Sequence, residues 1–299
     1  MKKLLPLTAV LVLLAGCAKE EVSVAAVEEP TAEPGNMLVE YMWCKAGENY
    51  SQEAHMALNA DWNAREAASQ HQTSGAFGLI PKEPNDAYDG MWANVWASQE
   101  ARDAGWQEWL ENEAEDFGAK HDATLKCDPE RVFMFEVEQV VAPAAEWEGR
   151  GPFQAMYQFC KLNDGMTMAD VDSASAVFAD WVAAGRAAGG ANGFMSTSLT
   201  PLFDPATTEG AYVGADFYQG AFWRSEEEKA AGMAGWMAEG GEAREMFEAT
   251  ATCEDFHFDL YGISVFFTTV CCTVFDCLLH HLHIEIRCHY CLLPPDFVM

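Results

Sequence analysis

The stretch "YMWCKAGENY", residues 41–50, returns as "YQFCKLNDG" at residues 157–165. Tyr41, Cys44 and Lys45 answer Tyr157, Cys160 and Lys161. The correspondence continues outward. Gly47 leads into a helical stretch carrying Trp62, and Gly165 into one carrying Trp181. Leu79-Ile80-Pro81 matches Leu199-Thr200-Pro201. Trp96, Ser98 and Trp109 match Trp223, Ser225 and Trp236, and the step between tryptophans is 13 residues in both places. Cys127 and Cys253 then follow 18 and 17 residues later. So many matches at kept spacing read as a duplication. Two copies are too few, and the unit too long, for a solenoid. Two related domains are expected, over residues 37–145 and 151–263.

Periodicity gives each copy the same order of elements. "MLVEYMWCK" (37–45) and "FQAMYQFCK" (153–161) are short, aromatic-rich strands. Residues 51–70 carry Met56, Leu58, Trp62 and many alanines and read as a helix. In the second copy Val171, Ala174, Phe178, Trp181 and Val182 fall on one helical face. Thr167 with Asp170 resembles a capping box there. "AFGLIP" (76–81) and "GFMSTSLTP" (193–201) are second strands stopped by proline. "MWANVWA" (91–97) and "DFYQGAFWR" (216–224) are third strands. One long helix is expected after each, starting at Ser98 and at Ser225, the latter in a full capping box, Ser225-Glu226-Glu227-Glu228. "RVFMFEVEQVV" (131–141) and "FHFDLYGI" (256–263) close the copies as fourth strands.

The fold class is therefore α+β: two tandem β-α-β-β-α-β ferredoxin-like domains with antiparallel sheets, forming a pseudo-symmetric pair. Helices cover one face of each sheet, and the other face needs cover, which the two units can give each other by packing sheet on sheet. The arrangement resembles the dimeric α+β barrel superfamily, with both halves on one chain. The resemblance rests on element order over residues 37–263 and on no catalytic motif. In a ferredoxin-like sheet the first and fourth strands are antiparallel neighbours. Cys44 ends the first strand and Cys127 precedes the fourth; Cys160 and Cys253 stand in the same relation. Disulfides Cys44–Cys127 and Cys160–Cys253 are expected, with a cross-pairing such as Cys44–Cys160 as the competitor.

The start of the chain gives a compartment. Lys2 and Lys3 precede an apolar run, Leu4 to Leu14, which suits a secretory signal and is short for a membrane span. Leu14-Ala15-Gly16-Cys17 resembles the lipobox of bacterial lipoproteins. That resemblance implies a signal peptide over 1–16, lipidation of Cys17 and, with Ala18 next, an outer-membrane location facing the periplasm. Residues 17–36 are rich in Glu, Ala and Pro without an aromatic residue, and read as a lipidated acidic tether. The net charge of −30 argues against nucleic acid as a partner. Partners on this reading are the membrane, through the lipid anchor, and a small molecule or a protein.

The last 36 residues, 264–299, depart from the rest. They hold five of the ten cysteines (Cys271, Cys272, Cys277, Cys288, Cys291) and four of the eight histidines, and the acidic character fades. Three readings stand. Cys288-x-x-Cys291 is a metal cue, but no second spaced pair accompanies it. "ISVFFTTVCCTVFDCLL" is apolar, but Asp276 interrupts it. The favoured reading is unselected sequence, as from translation in a shifted frame, with poor order expected.

Chemistry is thinly marked. Gly-x-Ser-x-Gly, HExxH, a phosphate-binding glycine loop and GxGxxG after a strand are all missing. His55, His71, His121 and His257 do not recur at matched positions, which argues against a metal or haem site built twice; a single haem on one of them stays open. No metal site and no cofactor is expected. Lys45 and Lys161 recur beside the cysteines and are candidate anion-binding residues, against a plain strand-end charge. Trp96 and Trp223 are candidates to stack on a flat ligand in a barrel cavity, against plain core packing. The expectation is a lipid-anchored envelope protein that binds a small apolar ligand or a protein partner. The alternative, drawn from the resemblance, is an enzyme of the cofactor-free monooxygenase, haem-degrading or isomerase type.

Overall fold

Eight strands and six helices alternate in two matched runs in the computed structural model, which describes residues 37–264 apart from 191, 211 and 213. The first run is β1 (Met37–Ala46), α1 (Gln52–Ala68), β2 (Gly75–Pro81), β3 (Gly90–Trp96), α2 (Gln99–Asn112), α3 (Ala114–His121) and β4 (Leu125–Val141). The second is β5 (Phe153–Leu162), α4 (Met168–Ala187), β6 (Met195–Pro201), β7 (Phe217–Trp223), α5 (Glu226–Glu239), α6 (Gly241–Thr250) and β8 (Ala251–Ser264). The expected signal peptide, the expected tether with Cys17, and the cysteine-rich segment after Ser264 lie outside the described residues.

Local chemistry sets the helix starts. Ser51, Ser98 and Ser225 each accept a backbone N–H from three residues on, at 3.1, 3.2 and 3.1 Å. This satisfies donors that a first helical turn leaves free. Thr167 N donates to the Asp170 carboxylate at 2.8 Å, the reciprocal half of a capping box. At Ser225 the box is displaced by one residue. Glu228 accepts from Arg224 N and Gly193 N, both at 2.9 Å, and so ties the helix to the β6 approach.

Each expected long helix is instead two. Glu113 leaves helical geometry (φ −124°) between α2 and α3, and Gly241 (φ +40°), the first residue of α6, takes the left-handed region just after Gly240. The fourth strands are also longer than the sequence suggests, so Cys127 and Cys253 lie inside β4 and β8 rather than before them. In β4 the reason is a bulge. Partners step from Cys44↔Cys127 to Met42↔Val132, and Asp128-Pro129-Glu130-Arg131 are looped out, which is how a proline is tolerated in a strand.

Each half has the ferredoxin-like strand order, β4-β1-β3-β2 and β8-β5-β7-β6. The expected stacking of one sheet on another is replaced by closure. β2 pairs with β8 and β4 with β6, all antiparallel, giving one eight-stranded barrel without free edges. The halves correspond in detail. Cys44 bonds to Cys127 and Cys160 to Cys253, each pair directly opposite in the ladder. Beside each bridge a loop aspartate accepts a backbone N–H: Asp89 from Ala46 at 2.9 Å, Asp216 from Leu162 at 2.8 Å.

Strand alternation divides the core. Val39, Tyr41, Ala93, Phe135, Tyr157, Leu199, Tyr218 and Phe258 point into the barrel. The intervening residues point outward beneath the helices: Met42 and Trp92 in the first half, joined there by Ile263 of β8, and Met156 and Trp223 in the second, joined by Phe194 just before β6.

Candidate functional site

Two cavities matter, one on each side of the strand wall. The first lies inside the barrel and measures about 400 Å³. Its walls are mostly aromatic, with Trp43, Phe133, Phe159 and Phe256 among them. At its floor the matched residues Tyr41 and Tyr157 meet hydroxyl to hydroxyl at 2.9 Å, with ring centroids 5.6 Å apart and edge to face. Burial raises the ionisation range of both phenols well above that of free tyrosine. Both are therefore neutral O–H groups at any physiological pH.

The second cavity, about 690 Å³, lies outside the barrel between the second sheet and α4, α5 and α6. Phe178, Trp181, Phe194, Trp223, Trp236 and Phe247 line it. Its floor is a row of ladder partners, Met156–Ala221–Ser196. Ser196 is 8% exposed and its hydroxyl has no partner. Arg186 lines the pocket too; it donates to Ala142 O at 2.8 Å and to Phe194 O, and its Nε is buried without a partner.

The matched row in the first half is Glu40–Asn94–Ala76, and its environment is closed. Glu40 is fully buried. Its Oε1 accepts from Asn94 Nδ2 at 3.1 Å, Trp96 Nε1 at 3.0 Å and Trp106 Nε1 at 2.8 Å. Arg102 Nε donates to Oε2 at 2.8 Å. A buried carboxylate with this many donors is satisfied and holds α2 onto the sheet. The second half has Met156, Ala221, Lys229 and Met233 where the first has Glu40, Asn94, Arg102 and Trp106. The polar plug is gone and the pocket stands in its place.

The candidates from sequence divide accordingly. Trp96 and Trp223 do not face the barrel interior, because Ala93 and Tyr218 set the inward parity of β3 and β7. Trp96 is part of the Glu40 network; Trp223 lines the outer pocket. Lys45 and Lys161 are exposed strand-end residues and line neither cavity; Lys45 pairs with Asp89 at 3.4 Å. The histidines are dispersed. His55 meets Tyr50 in a tilted ring contact at 5.8 Å, and His71 sits exposed in its loop. His121 Nε2 is 2.8 Å from Asp61. Asp61 is partly buried, which opposes ionisation, but His121, Lys120 and Arg65 outweigh that and lower it to about 2. His257 Nδ1 is 3.2 Å from the buried Lys229 Nζ. Among the described residues, no histidine lines either cavity. Among the described residues no cluster of three or more His, Cys, Asp or Glu is placed to hold a metal ion.

Sequence reasoning used Tyr41 and Tyr157 only as markers of the repeat. Their recurrence, with apolar strand neighbours, was the available signal that they meet. Glu40 had a signal as well, as a lone carboxylate in an outward row otherwise made of Leu38 and Met42.

The strand order and closure define the class: a tandem ferredoxin-like α+β barrel in a single chain. No family model matches the chain, and no curated protein does. Solved structures resemble it weakly. A provisionally assigned monooxygenase from Fusobacterium nucleatum is 10% identical, with 76% of this chain and 93% of that one covered and a TM-score of 0.48. A haem-binding protein from Thermus thermophilus is 13% identical over 76% and 91%, with a TM-score of 0.41. A mutant chlorite dismutase from Candidatus Nitrospira defluvii is 10% identical over 76% and 92%, with a TM-score of 0.43. Likeness at this level carries no residue and no activity across to this chain.

Proposed function

We propose that this chain is a lipid-anchored envelope protein that binds a small, flat, largely apolar molecule in the pocket beneath the helices of its second half. One observation carries the reading. Two matched rows of one duplicated fold differ at every position, and the difference opens a space: the first is plugged by Glu40, Trp106 and Arg102, and the second is open over about 690 Å³. That volume is in the range of small-molecule sites, and aromatic walls with few polar groups are their usual lining. The unpartnered Ser196 hydroxyl and Arg186 Nε offer hydrogen bonds to a polar edge of the ligand. Two disulfides agree with an oxidising compartment.

The test uses native mass spectrometry of the exported protein against haem and a panel of flat aromatic compounds. Gly235 lies on α5 in the pocket wall, and a Cβ there meets nothing within 4 Å. Gly235→Leu should therefore fill the space without a clash and remove binding. Retention of the ligand by that variant, or no ligand retained by the native protein, sinks the reading. The anchor is tested separately: Cys17→Ser should abolish incorporation of labelled palmitate. The competing reading, an enzyme of the monooxygenase, haem-degrading or isomerase type, rests on fold resemblance alone.

A further inference from the structure

The barrel chamber is separate from the outer pocket, and its floor has a hydrogen-bonding imbalance. Two phenols bring two protons, and the 2.9 Å contact between Tyr41 Oη and Tyr157 Oη uses one. Whichever oxygen donates, the other hydroxyl keeps a proton that no described residue accepts. Both tyrosines line the chamber, so that proton is available to its contents. A buried donor without an acceptor is unfavourable, and a ligand that supplies the acceptor removes the penalty. The surrounding walls are mostly rings, including Phe133, Phe256 and Phe258, with no charged side chain among them, and a charge placed there would go uncompensated. The chamber's volume suits a molecule of roughly two or three fused rings.

We infer that the barrel interior is a second ligand site, for an uncharged aromatic molecule bearing one carbonyl oxygen, with the Tyr41–Tyr157 pair donating to that oxygen. The pair is suited to this by its symmetry. Either hydroxyl can be the outer donor, so the carbonyl is served from either side of the approximate twofold axis.

The experiment compares 9-fluorenone with fluorene, two probes of one shape that differ in the carbonyl. Binding to the full chain is followed by calorimetry, and the carbonyl stretch of bound fluorenone by infrared difference spectroscopy. Fluorenone should bind about tenfold more tightly than fluorene, with its carbonyl band shifted down from its position in an apolar solvent. Tyr41→Phe and Tyr157→Phe alone each leave one donor and should keep the preference. The double variant should bind both probes equally, with the band back at its apolar position. Because both probes are flat enough to enter the outer pocket, the titrations are repeated with Gly235→Leu, which fills it; the preference for fluorenone and the shifted band should persist there, so the two sites fail or stand separately. Equal affinity of the native protein for the two probes, an unshifted band, or a preference that survives the double variant would overturn the inference. So would the absence of fluorenone binding. If the double variant does not fold, the band in the native protein decides alone.

Discussion

Tyr41 and Tyr157 stand 116 residues apart in sequence, at matched positions of the two copies, and touch through their hydroxyls at 2.9 Å in the middle of the barrel. The contact joins β1 of one half to β5 of the other, strands that do not pair with each other. It is thus a link between the halves that the strand ladder does not supply. Removing one partner leaves the other hydroxyl buried and unpaired, whereas removing both leaves an apolar contact of nearly the same shape. Tyr41→Phe or Tyr157→Phe alone should cost about 1–2 kcal/mol, and the double variant less than the sum of the two. Urea denaturation of the four proteins in a double-mutant cycle measures the coupling; strict additivity would mean the contact contributes nothing as a pair.

The two disulfides close loops with sequence separations of 83 and 93 residues, each across the first and fourth strands of its half. Loops of that length correspond to about 4–5 kcal/mol each in the chain-entropy model, a figure real proteins often fall short of. Cys160→Ala with Cys253→Ala should therefore lower the urea midpoint substantially. It should also raise the m-value, since the unfolded chain expands once the link is gone. The same pair of changes at Cys44 and Cys127 should do likewise. An unchanged m-value would show that the links act on the native state instead.

Glu40 marks where the halves diverge. Its carboxylate holds three neutral donors and the Arg102 guanidinium with no exposure to solvent. Glu40→Met installs the residue that the second half carries at the matched position, Met156. Met is well suited to a core, but here it leaves Arg102 Nε and three buried N–H groups without their acceptor, while the far end of the guanidinium keeps Asp103 at 3.1 Å. The expected loss is about 3–5 kcal/mol. Met156→Leu, a volume-conserving swap on the matched site, should cost less than about 1.5 kcal/mol. Chemical denaturation followed by tryptophan fluorescence separates the two; equal costs would mean that the Glu40 network is dispensable.

Much of this fold was legible because the duplication states it twice. A strand that is ambiguous once, such as 153–161, is secured by its twin at 37–45 and by a shared Tyr and Cys. The capping serines at 98 and 225 were readable because the chemistry of a helix start is local. What was not readable depended on distant partners. The helix break at Glu113 lies in a run that looks helical throughout, since many residues between Gln99 and His121 favour a helix, whereas the break at Gly241 had a local signal in the pair Gly240-Gly241. The early start of β4 was masked by Pro129, which belongs to a bulge that exists only against β1. Trp96 and Trp223 are, from sequence, candidates for a barrel cavity against plain core packing, because aromatic residues suit either. Which face they take follows from strand parity, fixed at Ala93 and Tyr218 by pairing across the sheet. The outer pocket was invisible for the same reason: it is the difference between two matched sets of side chains brought together by packing.

The seam between β2, β8 and α5 holds the remaining prediction, in pH. Lys229 Nζ lies 3.2 Å from His257 Nδ1, with Lys82, Glu83, Glu226, Asp255 and Asp259 around the pair. Burial lowers the range of His257 first, and the neighbouring ammonium of Lys229 lowers it further. A histidine whose folded value lies below its unfolded one resists protonation only while folded. The unfolded chain then binds the extra proton as pH falls below about 6.5, and stability drops with it. Above that pH the histidine is neutral in both states and contributes no slope. His257→Gln should thus flatten the loss of stability between about pH 6.5 and 5 and leave stability at pH 8 nearly unchanged. His55, lowered by burial alone, keeps part of the slope. Asp61 acts in a different window. Its folded value of about 2 means that its contribution is lost only as pH falls from about 4 downward. Urea midpoints at pH 8, 6.5, 5.5 and 5 for the native protein and His257→Gln resolve the histidine window. Parallel curves for the two proteins would mean that His257 titrates alike folded and unfolded, and that Lys229 is too well screened to be felt.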